Sequence, residues 1–197
     1  MSKDKYMLRK YRIAKEMLKD VVFPKAKVLD IGCYDGYFLS TIPDIDGYGV
    51  DTDDEAMRIA AQRGVKVHFP FYWENYDVIV CMDVLEHQQD PEKMVNDIKK
   101  WLKTKGAVLI SLPNECTLWH RLKVLVGVGI DGTGFAPHYH MHFPTLKQND
   151  EFVSKYFRIL KKRYWVYGLP ELFAFWPGLF ARGVIYVCEC GDTNDSR

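Results

Sequence analysis

Short apolar runs alternate with helix-forming segments through the first half of this chain, and that alternation restricts the fold more than any other feature. Residues 27–31, 47–50, 65–69, 76–82 and 107–112 read as strands. Helical segments lie between them at 37–42, at 53–63 with Gly64 as its stop, and from Asp90 to Gly106. The last is the best signed: Asp90 suits a cap, Pro91 suits the first turn, and Met94, Ile98, Trp101 and Leu102 recur at helical spacing. Strands alternating with helices build a largely parallel sheet covered on both faces. Before them, residues 6–21 form a basic amphipathic helix with Leu8, Tyr11, Ala14 and Leu18 near one face. After them, 116–125 and 146–156 read as helices and 127–142 as a loop. Two strand-like runs, "FRILKKRYWV" and "GVIYVCEC", close the chain. The segment joining them is rich in turn residues and leaves no room for the usual helical crossover, so the final strand is expected to be antiparallel.

In an open parallel sheet, ligands bind beyond the carboxyl ends of the strands, where the strand order reverses. The first strand ends in "LDIGCYDG", and Gly32 and Gly36 flank a turn that a ligand can approach closely. The spacing is G-x-x-x-G rather than the G-x-G-x-x-G of dinucleotide enzymes, which points away from NAD and FAD. About twenty residues later, "GYGVD" ends the second strand on Asp51, where a carboxylate accepts hydrogen bonds from both ribose hydroxyls of a nucleoside. Asp53 and Asp54 read as helix-cap carboxylates. If the turn requires a positive φ at Tyr34, that residue costs ~1–2 kcal/mol; otherwise its side chain packs over the site.

Together, "VLDIGCYDGYF", "GYGVD", "YDVIVCMDVLEH" and "DPEKMVNDIKKWLKTKGAVLISLPN" resemble the class I S-adenosylmethionine-dependent methyltransferases, in order and spacing, over residues 27–114. Within that superfamily the chain is similar to the small methyltransferases related to ubiquinone- and methionine-biosynthesis proteins. The stretch "HMHFPTLKQNDEFVSKYFRI" resembles their histidine, aromatic, then helix segment. The resemblance implies a Rossmann-like, doubly wound, seven-stranded α/β sheet, mostly parallel with a final antiparallel strand. It implies one methyltransferase domain over 1–197, with an N-terminal helix at 1–24 and substrate-side insertions at 115–145 and 168–182. It also implies S-adenosylmethionine as cofactor. Asp30 would orient the turn and face the methionine amino group, Gly32 and Gly36 would lie against the methionine portion, and Asp51 would hold the ribose. Met82 and Asp83 would border the adenine and the methionine. The chain departs from the pattern in two places. Tyr34 replaces the common middle glycine, and the link after the third strand lacks the usual glycine–aspartate that meets the adenine amine. Phe71 or Tyr72 offers a ring to stack on the adenine instead.

Methyl transfer from a sulfonium needs a general base only when the acceptor is a weak nucleophile. His87 lies just beyond the fourth strand, and "HYHMH" sets His138, His140 and His142 at alternate positions that an extended chain would turn one way. His87 and His140 are the candidate catalytic residues. Asp83, Glu86 and His87 fall at i, i+3 and i+4 and would share a face on a helical turn. With His140 they resemble the metal set of small-RNA 2′-O-methyltransferases. Similar runs serve helix entry in metal-free relatives, and no metal is assigned.

The formal net charge of +1 argues against a strongly polyanionic partner such as duplex nucleic acid. The five cysteines, with no framework spacing, read as free thiols in a reducing compartment. With a charged N-terminal segment and no apolar run of ~20 residues, they give a cytoplasmic expectation. The apolar stretch "GLPELFAFWPGLFARG" reads as a helical cover on the sheet, with peripheral contact to a lipid-linked acceptor as the alternative. The expected function is transfer of a methyl group to a small-molecule or carrier-linked acceptor. The alternatives are a metal-assisted RNA 2′-O-methyltransferase and a catalytically silent binding protein of the same fold.

Overall fold

The computed structural model describes residues 3–67, 75–128, 140–166 and 175–190, with side chains from residue 7 onward. Its centre is a seven-stranded sheet with the order β3-β2-β1-β4-β5-β7-β6. The strands are β1 (Lys27–Ile31), β2 (Asp46–Val50), β3 (Lys66–Val67), β4 (Tyr76–Met82), β5 (Leu102–Pro113), β6 (Arg158–Val166) and β7 (Ala181–Glu189). From β1 to β5 every pairing is parallel, whereas β7 slots antiparallel between β5 and β6. The expected final antiparallel strand is therefore present. Chain direction across the sheet reverses between β1 and β4, which opens a crevice at their carboxyl ends.

Helices cover both faces. They are α1 (Lys3–Leu18), α2 (Tyr37–Ser40), α3 (Asp54–Gln62), α4 (Pro91–Trp101), α5 (Leu118–Leu125), α6 (Leu146–Tyr156) and the short α7 (Pro177–Phe180). The side chains of β4 alternate across the sheet. Val78 and Val80 pack with Ala14 and Leu18 of α1, Phe38 of α2 and Ala60 of α3. Ile79 and Cys81 pack with Val95 and Ile98 of α4 and Val153 of α6. Caps fix the helix starts: Asp53 accepts from the Ala56 amide, Asp90 from Lys93, and Thr145 with Gln148 forms a capping box on α6. Among the described residues no helix is long and apolar enough to cross a membrane.

Three expectations need correction. The helix expected to run to Gly106 ends at Trp101, and β5 begins at Leu102. Leu8, placed on the inner face of α1, is 47% exposed, and Lys10 occupies that face at 1% exposure; its partner is described below. Phe175 and Trp176, read as part of a cover on the sheet, stand exposed. Residues 68–74 and 167–174 lie outside the described residues, so the aromatic link after β3 and most of that apolar stretch are not described.

The turn from β1 into α2 is the sharpest feature of the fold. Gly32, Tyr34 and Gly36 all have positive φ, at 74°, 47° and 70°. A Cβ on Gly32 would lie 2.4 Å from Cγ2 of Val84, and one on Gly36 would lie 2.9 Å from both Ala60 and Val65. Both glycines are therefore demanded by packing as well as by backbone shape. Tyr34 has no such relief, and its ring is 60% exposed rather than folded over the site. The turn is held from the other side by Asp51: the Tyr34 amide donates to Oδ2 at 2.8 Å, and the Asp53 amide donates to Oδ1 at 3.0 Å. Because the Tyr34 contact is through the backbone, substitution isolates the strain. Tyr34→Gly is expected to raise stability by up to about 1 kcal/mol, and Tyr34→Val to lower it by about as much, since a β-branched residue suits this conformation least. Urea denaturation of both variants measures the difference.

Candidate functional site

The crevice between β1 and β4 collects the carboxylates. Asp30, on β1, is 2% exposed, and its Oδ1 has no hydrogen-bond partner among the described residues. Burial and the nearby charge of Asp51 push its pKa up to about 8, against the pull of Lys10. Across the crevice β4 ends at Met82, and Asp83 follows with φ 55°. The Lys10 ammonium, carried in by α1, pairs with Asp83 Oδ2, and Ser111 Oγ donates to Oδ1 at 2.6 Å. Burial raises the Asp83 pKa, but Lys10 and Ser111 outweigh it and hold the carboxyl below its usual range. Tyr11, the next residue of α1, has its phenol pushed up by burial and by Asp30, Asp83 and Asp35. The N-terminal helix thus contributes two side chains to the crevice.

A second group of side chains lies just beyond Asp83. Leu85–His87 forms one turn of 3₁₀ helix. Glu86 is 2% exposed, and among the described residues neither carboxylate oxygen has a hydrogen-bond partner. Burial, then the charge of Asp83, raises its pKa to about 8. The Glu86 carbonyl accepts from the amides of Met141 and His142 at 2.8 and 3.2 Å, which ties residues 140–142 to this turn. The rings of His87 and His140 meet edge to face with centroids 4.7 Å apart. His140 Nδ1 lies 2.8 Å from Oε1 of the buried Glu115. One donor atom from each of Glu86, His87 and His140 falls within 4.8 Å of the others. A cavity of about 520 Å³ adjoins Glu86, walled by Leu85, Leu112, Met141, Phe143 and Phe152 among others.

The structure brings Asp30, Gly32, Tyr34, Gly36 and Asp51 to one side of the crevice, and Met82, Asp83, His87 and His140 to the other. Phe71, Tyr72 and His138 lie outside the described residues. Two expected alignments are not built. Asp83 does not share a helical face with Glu86 and His87, because its left-handed backbone turns it back to Lys10 and Ser111. His142 does not join His140, because its Nε2 lies 2.9 Å from the Gln88 carbonyl oxygen. Lys10, Ser111 and Glu115 were not expected from the sequence. Lys10 had a readable signal: it precedes Ala14 by four residues, in line with the apolar stripe of α1. Glu115 had none, since it and His140 are 25 positions apart in the sequence.

The chain matches the methyltransferase-domain family over residues 5–182. It is 32% identical over 111 residues to the ubiquinone biosynthesis O-methyltransferase of Proteus mirabilis, covering 49% of this chain and 45% of that protein. The chain spans about half the length of the curated relatives it matches. Among solved structures it is similar to the small RNA methyltransferase HEN1, with a TM-score of 0.69 and 16% identity over 98% of this chain and 26% of that one. It is also similar to the N-methyltransferase NodS of Bradyrhizobium japonicum in complex with S-adenosyl-L-homocysteine, with a TM-score of 0.64 and 13% identity over 93% of this chain and 87% of that one. With most of its length matched and the sheet order in agreement, the chain belongs to the methyltransferase-domain family and has the class I, S-adenosylmethionine-dependent methyltransferase fold.

Proposed function

We propose that this domain transfers the methyl group of S-adenosylmethionine to a small-molecule or carrier-linked acceptor that enters beside Glu86. The observation that carries the reading is the buried oxygen of Asp30, without a hydrogen-bond partner among the described residues and set near Asp51 at the point where the sheet reverses. A buried polar atom without a partner costs free energy that a ligand can recover. The cofactor supplies an activated methyl group on a sulfonium sulfur. The residues present suit it. Asp30 offers its free oxygen to the methionine ammonium. Asp51 uses its oxygens on two backbone amides and keeps a lone pair on each for the ribose hydroxyls. Gly32 and Gly36 leave the turn open to the methionine portion, and Met82 and Asp83 border the remainder. The name of the Proteus mirabilis relative favours an oxygen acceptor, and the cavity beside Glu86 is large enough for a small aromatic or polyol group. The wall of that cavity includes Glu86 and His142, and His87 and His140 are the candidate bases for an acceptor hydroxyl.

Calorimetric titration tests the reading. The folded domain is expected to bind S-adenosylmethionine and its demethylated product with micromolar affinity, and Asp51→Asn is expected to weaken both by about 10-fold or more through loss of ribose hydrogen bonds. Absence of binding by the folded protein would favour the catalytically silent alternative.

Asp30 gives a separate signature. With its pKa near 8 in the free domain it holds a proton at pH 7, whereas beside an ammonium it ionises. Binding should therefore release close to one proton at pH 7 and tighten as pH rises from about 6 to 7.5. Comparing binding heats in buffers of different ionisation enthalpy counts the proton, and Asp30→Asn should abolish its release.

A further inference from the structure

We propose that α5 is the two-fold interface of a homodimer, its outward apolar stripe packing antiparallel against the same stripe of a second copy of this chain. The helix is built inside out. Of its eight residues only His120 is buried. Leu118, Trp119, Leu122, Leu125 and the C-cap Val126 are exposed, Trp119, Leu125 and Val126 at 61%, 80% and 73%. Their spacing puts them on one face of the helix, the face that a soluble domain normally turns inward. Here the polar side is turned inward instead. His120 Nδ1 lies 2.9 Å from the Glu115 carbonyl oxygen, the His120 amide donates to the Thr117 hydroxyl that caps the helix, and Arg121 Nε donates to the Cys116 carbonyl at 2.9 Å. The helix is therefore anchored through its polar side with the apolar stripe outward.

The stripe suits a second copy. It is symmetric about Leu122, with apolar residues three and four positions to either side. Two copies crossing antiparallel on a two-fold axis at Leu122 set Trp119 of one against Leu125 of the other, and Leu118 against Val126. The size agrees. Phe175 and Trp176 are also exposed, and the segment that follows them is tied to the end of β5, where Asn114 Nδ2 donates to the Gly178 and Ala181 carbonyls at 3.1 and 2.8 Å. With these two rings the exposed apolar surface comes to on the order of 1,000 Å², above the about 300–600 Å² of a typical monomer's largest patch and sufficient for the about 800 Å² that each partner gives to a standard interface. A lipid surface fits less well, because the cations beside the stripe are turned back along the helix. Arg121 reaches Cys116, and the Lys123 ammonium lies over the Trp119 ring, 5.9 Å from its centre. In the dimer both stand at the rim, where water screens them. The pairing does not rest on the methyl-transfer reading.

Sedimentation equilibrium of the full chain between about 1 and 100 µM is expected to show a dimer with a dissociation constant in the micromolar range or below. Leu122→Glu puts two like charges on the axis and should weaken the dimer at least about 100-fold. Val124→Glu changes a residue that is exposed but off the stripe, and should leave the dissociation constant within about threefold. Trp119→Lys and Leu125→Glu should each favour the monomer, and the double variant should restore the dimer, because antiparallel pairing faces the two new charges. Circular dichroism verifies that each variant is folded. The proposal is overturned if the folded wild-type chain is monomeric throughout this range, if Leu122→Glu remains dimeric, or if the double variant associates no better than the single ones. A monomer that co-sediments with vesicles of anionic phospholipid would also overturn it, and would assign the stripe to a lipid surface.

Discussion

The carboxylates at the carboxyl edge of the sheet set the site, and the rest of it is arranged around how their charge is met. Asp83 pairs with the Lys10 ammonium. Asp30 and Glu86 flank it with buried oxygens that no donor among the described residues reaches. Isolated carboxylates in such a place are costly enough to take up protons, which is the direction in which burial moves both. A pocket of this kind is organised for ligands that bring positive charge. Asp30 faces the nucleoside side, where an ammonium fits. Glu86 lies beside the imidazoles of His87 and His140.

The strands and the glycine turn after the first of them were legible in the sequence because local chemistry decides them. A strand ending in acidic residue, turn and glycines, and a second strand ending in Asp51, are fixed by backbone geometry within about twenty residues. Helix caps at Asp53, Asp90 and Thr145 are equally local. The acceptor side was not legible in the same way. It is built from pairings such as Lys10 with Asp83 and Glu115 with His140, whose partners are 73 and 25 residues apart. Helical spacing even suggested the wrong grouping, since it put Asp83 with Glu86 and His87. A positive φ at one non-glycine residue was enough to undo it, and no composition rule announces such a residue.

Tyr34 shows the same limit in reverse. The sequence raised two outcomes for it, and the structure takes the strained one, with the ring outside the site. What makes the strain tolerable is the Asp51 carboxylate, which accepts the Tyr34 amide and the Asp53 amide together. A carboxylate–amide bond contributes about 1.5–3 kcal/mol, more than the left-handed backbone of one residue costs. The residue read as a ribose ligand is therefore also the clasp of the turn.

Lys10 extends this coupling to the N-terminal helix. Its side chain is almost fully buried, so removing its ammonium from water is compensated chiefly by Asp83. Breaking a buried pair by removing one partner costs about 3–5 kcal/mol; the partial exposure of Asp83 puts this pair toward the lower end. That is still a large share of the stability of a domain of this size, typically about 5–15 kcal/mol. The helix cannot lift away without uncovering a charge that the crevice otherwise holds neutralised. Docking of α1 and orientation of Asp83 at the end of β4 are consequently coupled. A helix that sequence alone makes a basic amphipathic cover becomes, through a single inward lysine, a wall of the site.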